Sequence, residues 1–288
     1  YANLGFPGAG EVETPPLFDA QGNPLPEDKD NGTWREDNSG LHPGYVWEDS
    51  CSRDMLIGWT VGFGAAWEVI RADPDVADEL RATLRDDARA IMHNLMIVRD
   101  NGYDLELMDA DGRTTFHGYL NENNLDRIYV DGIRNGFHTI MALGVVGTFA
   151  AMAEDPEIDA YLASLIRERE FARIARENMM LVNMEEVTNF SNYNMVFDGA
   201  WLALRFIRDE GARGDLRQAL AGQLYDTSGK RFQPVEQGQT WFDLVYAAGM
   251  CDAAAGRPCR QPLDQQAVDR GLETLRQFPA PPFFEYER

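Results

Sequence analysis

Lysine is almost missing from this chain. Of its 26 basic residues only Lys29 and Lys230 are lysines, and against them stand 48 acidic residues for a formal net charge of −22. Nucleic acids and anionic membranes both reward a basic face, so neither is expected as a partner. Arg53, Arg127 and Arg134 could still form a local basic pocket. The arginine bias fits a GC-rich genome, and equally a protein kept soluble in salt by its acidic surface. The four histidines (His42, His93, His117 and His138) include no closely spaced metal-binding pair. A P-loop, a dinucleotide fingerprint and a Ser/His/Asp signature are also missing, so no metal or organic cofactor is expected. The run Met55 to Trp67 in "CSRDMLIGWTVGFGAAWEVI" is shorter than the roughly 20 apolar residues needed to cross a bilayer and reads as a buried core helix. No signal peptide is visible, although a chain opening at Tyr1 is compatible with a removed leader.

Only three cysteines occur. Cys251 and Cys259 flank "DAAAGRP", where Gly256 and Pro258 can turn the chain back far enough to bridge them, leaving Cys51 alone. Three thiols in a reduced protein fit equally well. A bridge would point outside the cytoplasm, and the expected location is extracellular, periplasmic or at the cell surface.

The hydrophobic fraction of 44% and aromatic fraction of 11% are those of a globular protein. Residues 1–46 form an irregular arm rich in Pro, Gly, Asn and Asp without sustained period, and the aromatics in and just after it (Phe6, Phe18, Trp34, Tyr45, Trp47) favour packing over a domain. Its acidic cluster, Glu27, Asp28, Asp30, Glu36 and Asp37, could hold calcium but lacks the spacing of an EF-hand loop. Residues 47–288 read as one helical domain in which two kinds of helix alternate. Segments 52–71, 125–153, 193–208 and 240–251 are mostly apolar. Segments 75–99, 157–182, 214–225 and 264–277 carry a charged face opposite an apolar stripe. A helix apolar all round sits inside others, and a striped one lies outside. The expected fold is therefore all-α: an (α/α) toroid of four or more helical hairpins, inner apolar and outer amphipathic. A plain helix bundle is the alternative. One β-hairpin is expected in 103–120, turning at Asp111-Gly112, which makes Asp109-x-Asp111-Gly turn chemistry rather than a calcium loop.

In such a ring the inner helices all begin at one end, so their starts should meet. Those starts are polar. The first carries Arg53 and Asp54; the second, "HGYLNENNLDR", carries His117, Asn123, Asn124 and Asp126. The third, "NFSNYN", carries Asn189, Asn192, Tyr193 and Asn194, and the fourth, "EQGQTW", carries Glu236, Gln239 and Trp241. Ser52 and Asn192 stand where helix caps belong. Capping does not use as many amides as "NENN" and "NFSNYN" provide, and this density points to a wet cavity. Asn, Gln and Asp bond hydroxyls directionally, Tyr and Trp offer flat faces to sugar rings, and paired carboxylates serve glycoside hydrolysis.

With hairpins and polar starts together, the chain resembles the α/α-toroid proteins that include six-hairpin glycosidases and toroid polysaccharide lyases. Four hairpins are visible where the full toroid has six. The resemblance implies a carbohydrate partner and a hydrolase or lyase. A hydrolase would pair Asp54 with Asp126, Glu186 or Glu236 as acid and base. A lyase would neutralise a uronate with Asn192 or Arg53 and take its C5 proton with Tyr193 or His117. Asn123, Asn124, Asn189, Asn194, Gln239 and Trp241 would bind substrate. The other reading is a non-catalytic surface scaffold, glycan-binding or assembly protein that self-associates through the N-terminal arm.

Overall fold

A computed structural model describes residues 2–3, 33–38, 40, 42–49, 51–109, 112–126, 128–184, 190–227, 232–254 and 256–277. The chain is mostly helical, with a few small sheets. Strands β1 (Ala2–Asn3), β2 (Thr33–Glu36) and β3 (Tyr45–Asp49) form an antiparallel sheet in the order β1-β3-β2. Parts of the arm are thus strand rather than irregular. Residues 4–32, with Phe6, Phe18 and the calcium candidates Glu27, Asp28 and Asp30, lie outside the described residues. Ten α-helices follow among the described residues: α1 (Arg53–Ile70), α2 (Asp78–Leu95), α3 (Gly136–Ala153), α4 (Pro156–Arg167), α5 (Phe171–Glu177), α6 (Met180–Asn183), α7 (Phe190–Phe206), α8 (Glu210–Ala219, continued as a π-helix over Leu220–Tyr225), α9 (Thr240–Met250) and α10 (Gln265–Gln277). The expected hairpin is present as β4 (Glu106–Met108) paired with β5 (Thr114–Tyr119). A smaller pair, β6 (Asn124–Leu125) and β7 (Ile128–Tyr129), follows it. Asp109 works as turn chemistry: its carboxylate accepts from the backbone and side chain of Arg113.

The apolar helices run in one direction. Gly144 of α3 lies so close to α7 that a Cβ there would fall 2.7 Å from the Gly199 carbonyl oxygen; further along both helices, Gly147 meets Ile207. Contacts that advance together in both chains define parallel helices. By the same argument α1 parallels α3, because Arg53 meets His138 near their starts and Gly64 meets Thr148 towards their ends. In α7 and α9, Phe197 packs on Phe242 early and Leu204 on Gly249 late. The amphipathic α10 runs opposite to α9, with Thr240 bonded to the Gly271 carbonyl and Gly238 near Thr274. Glycine is required at 144 and 199 because the two backbones nearly touch.

The core is centred on α3. It is apolar enough to cross a membrane, yet almost all of it is buried within the protein. Helices α1 and α7 each pack on α3 and also on one another, while α2, α4 and α5 cover its other sides. Cys251 and Cys259 are bonded, with Cα atoms 5.0 Å apart, and Cys51 is free.

Three expectations need correction. Helix α1 is not buried all round: Met55, Trp59 (64% exposed) and Val69 stand in solvent, with Gly58 and Gly62 on the same face. The second apolar helix begins at Gly136, not 125, because β6 and β7 occupy the intervening residues and Asn135 supplies the cap. The 157–182 helix breaks into α4, α5 and α6, with Glu170 in a left-handed conformation at φ 57°. There Arg169 leaves the helix to pair with Asp104 and Glu122.

Candidate functional site at the starts of the apolar helices

Arg53 opens α1 and is only 3% exposed. Its Nη2 lies 2.9 Å from Asp126 Oδ1, and its Nη1 donates to the Asp126 carbonyl at 3.3 Å and to His138 Nε2 at 3.3 Å. The guanidinium also sits over the Phe137 ring, 5.3 Å from its centroid. His117 Nδ1 approaches the same Asp126 oxygen, at 3.2 Å. Four chain segments therefore converge: the start of α1, the end of β5, the β6–β7 turn and the start of α3.

Two of these residues hold unusual backbone conformations. His117 has φ 59° and Asp126 has φ 65°. For non-glycine residues that region costs on the order of 1–3 kcal/mol and persists where the surroundings impose it. Burial, and next the charge of Arg53, lower the pKa of His138 well below the ordinary histidine value, with the Asn124 backbone opposing in part. His138 is thus neutral and accepts from Arg53. Asn124 beside it is fully buried, yet neither its side-chain oxygen nor its side-chain nitrogen has a partner among the described residues. Such an amide costs roughly 1–3 kcal/mol unless a water or a ligand hydroxyl meets it. The chemistry is that of an imidazole oriented by a carboxylate, which in turn is pinned by a buried arginine. An imidazole held in this way is a group that can exchange a proton.

The structure thus brings together Arg53, His117, Asn124 and Asp126. Asp54 is exposed in the first turn of α1. Ser52 stands at the N-cap position of α1 without a side-chain capping bond. Asn123 folds back onto Asn121, its amide donating to the Asn121 side-chain oxygen. Tyr193 is buried, and its hydroxyl donates to the Val182 carbonyl at 2.9 Å, tying α7 to α6. Asn192 lies inside α7 rather than before it, and Asn194 is exposed. Asn189 and Glu186 lie outside the described residues. Glu236, Gln239 and Trp241 share the approach to α9 and are all exposed.

Sequence reasoning missed two residues. One is His138, which follows Asn135-Gly136 in the first turn of the most apolar helix. Asp198 is the lone acid within "YNMVFDGAWLAL" of α7. Burial raises its carboxyl to about 6, and a hydrogen bond from the Trp241 indole partly offsets this. A single acid in an otherwise apolar helix was the available signal.

Two cavities lie away from this convergence. One of about 370 Å³ sits at the far ends of α3 and α7, between Ala150, Leu162, Ile166 and Phe206. Another of about 570 Å³ lies between the end of α2 and the β4–β5 hairpin, lined by Asn94, Ile97, Glu106 and Thr114. For a metal, His93, Asp155 and Glu157 come within ligand reach of one another at the surface. Asp155 is already the cap of α4 and bonded to His93, and the positive end of a helix disfavours a cation there. The chain matches no family model, no curated protein and no solved structure.

Proposed function

We propose that this protein is carbohydrate-active, a glycoside hydrolase or polysaccharide lyase in which His117 exchanges the reacting proton. The observation that carries the reading is the His117–Asp126–Arg53 convergence, with two of its three members held in left-handed backbone. In the hydrolase form His117 activates water while a carboxyl protonates the leaving oxygen; in the lyase form it removes the proton next to a uronate carboxylate. Tyr193, the other candidate base, is already committed to Val182. Part of the same proposal is that α1, α3, α7 and α9 are an arc of an (α/α) toroid, which their common direction supports. The Cys251–Cys259 bond supports a location outside the cytoplasm. No cofactor is included.

The test is incubation with a panel of neutral and uronic-acid polysaccharides. New reducing ends alone indicate hydrolysis, and reducing ends together with the ultraviolet absorbance of an unsaturated product indicate elimination. Intact polymer throughout the panel would refute the enzyme.

The exposed apolar face of α1 favours a second reading, a scaffold or assembly protein. On that reading Trp59→Glu, or deletion of residues 1–40, dissolves an oligomer seen by light scattering. A wild-type monomer would exclude it.

A further inference from the structure

Helix α7 turns one stripe out of the core: Asn194, Asp198, Trp201 and Arg205, recurring at helical spacing. Asn194 is exposed and the other three are half-buried. On one side the stripe meets α9. The Trp201 and Trp241 ring centroids are 5.9 Å apart, inclined at 55°, and Trp241 is near enough to Asp198 to offset part of the effect of burial on its carboxyl. On the other side it meets α1, where Arg205 pairs with Glu68. The Arg205 guanidinium lies over Trp201, 5.5 Å from its centroid.

Packing alone accounts for this poorly. Asparagine would serve the Trp241 N–H as well as aspartate and would not place a carboxyl where burial raises it to about 6. Among the described residues no cation pairs with Asp198, since Arg205 is engaged by Glu68. One indole of the pair, Trp241, is 36% exposed. Carboxyls raised by burial are commoner at functional sites than elsewhere.

We propose that this face of α7, together with Trp241 of α9, binds a neutral pyranose ring, the C–H face lying on the Trp241 indole and the hydroxyls bonding to Asp198 and Asn194. A cationic ligand does not fit, because a guanidinium already covers Trp201. An anionic one does not fit either, because Arg205 beside Trp201 is neutralised by Glu68. The inference rests on the carbohydrate reading above and deepens it: a neutral ring selects the hydrolase form.

The experiment is titration of tryptophan fluorescence, checked by calorimetry, using neutral hexasaccharides of β-1,4-glucan, β-1,4-mannan, β-1,4-xylan and α-1,4-glucan, with hexagalacturonate as the charged comparison. Wild-type protein should bind a neutral hexasaccharide saturably. Trp241→Ala should weaken that binding by about tenfold, as loss of an aromatic stacking partner does. Asp198→Asn should also weaken it. The proposal is overturned by no binding of any neutral probe, by binding of hexagalacturonate alone, or by binding that Trp241→Ala leaves unchanged. Should turnover depend on His117 while Trp241→Ala leaves KM unaltered, the active-site reading stands and this one falls. Should neutral sugar bind here without any turnover, the reverse holds.

Discussion

Replacing Asp198 with asparagine should stabilise the protein, and only above acid pH. Burial raises this carboxyl from 3.8 to about 6, against a smaller opposing pull from the Trp241 N–H. One unit corresponds to about 1.4 kcal/mol, and with partial exposure the whole shift amounts to about 2 kcal/mol. The sign follows from the raised value. Below about pH 4 the group is protonated in both states and costs nothing. From about pH 4 to about pH 6 the unfolded chain has released its proton while the native state holds it, so this group's contribution falls as pH rises. Above that range the penalty is constant. Asparagine keeps an acceptor for the indole and carries no charge. Urea unfolding of both proteins between pH 4 and pH 8 should therefore show a gap of about 2 kcal/mol in favour of the variant at neutral pH, closing towards pH 4. A gap that does not vary with pH, or a variant less stable than wild type at neutral pH, would refute the reasoning. Stability gained by removing a charge, with sugar binding lost, is what a functional carboxyl produces.

Two glycine substitutions should act in opposite directions. Gly58→Ala meets nothing within 4 Å and should stabilise α1 by about 0.5–1 kcal/mol, whereas Gly199→Ala forces the α3 and α7 backbones apart and should cost about 1–3 kcal/mol or more. Chemical denaturation of both variants decides this. Asp252 is the buried partner of Arg213, which is 1% exposed, and it also pairs with Arg217. Asp252→Ala should cost about 3–5 kcal/mol by leaving a buried guanidinium uncompensated; a loss under 1 kcal/mol in urea would show that water reaches the pair. Reduction of the Cys251–Cys259 bond, which closes a short loop, should cost about 2–3 kcal/mol. An unfolding midpoint unchanged by reductant would contradict that.

The helices were legible because burial leaves a periodic mark. A segment such as "FHTIMALGVVGTFAAMA" has no polar face to present to water, whereas "DELRATLRDDARAIMHNL" has one. Apolarity does not say which sides a neighbour covers, so the exposed face of α1 was not foreseen. The break at Glu170 was hidden for another reason. It depends on Arg169 reaching Asp104 and Glu122, partners far away in sequence. At the site, Arg53, His117, Asn124 and Asp126 were legible as polar residues crowding helix starts beyond what capping uses. His138 and Asp198 were not, because each lies within an apolar helix and its role depends on neighbours from other segments: Arg53 for one, Trp241 for the other.

The central claim is that His117, oriented by Asp126, exchanges the reacting proton. Its most direct test is turnover of the best polysaccharide from the panel by His117→Ala, with and without added imidazole. The account predicts a loss of about 10²–10⁴-fold in kcat, a nearly unchanged unfolding midpoint, and partial recovery as imidazole is titrated in. Wild-type turnover in the variant, or a loss matched by unfolding and untouched by imidazole, would contradict it.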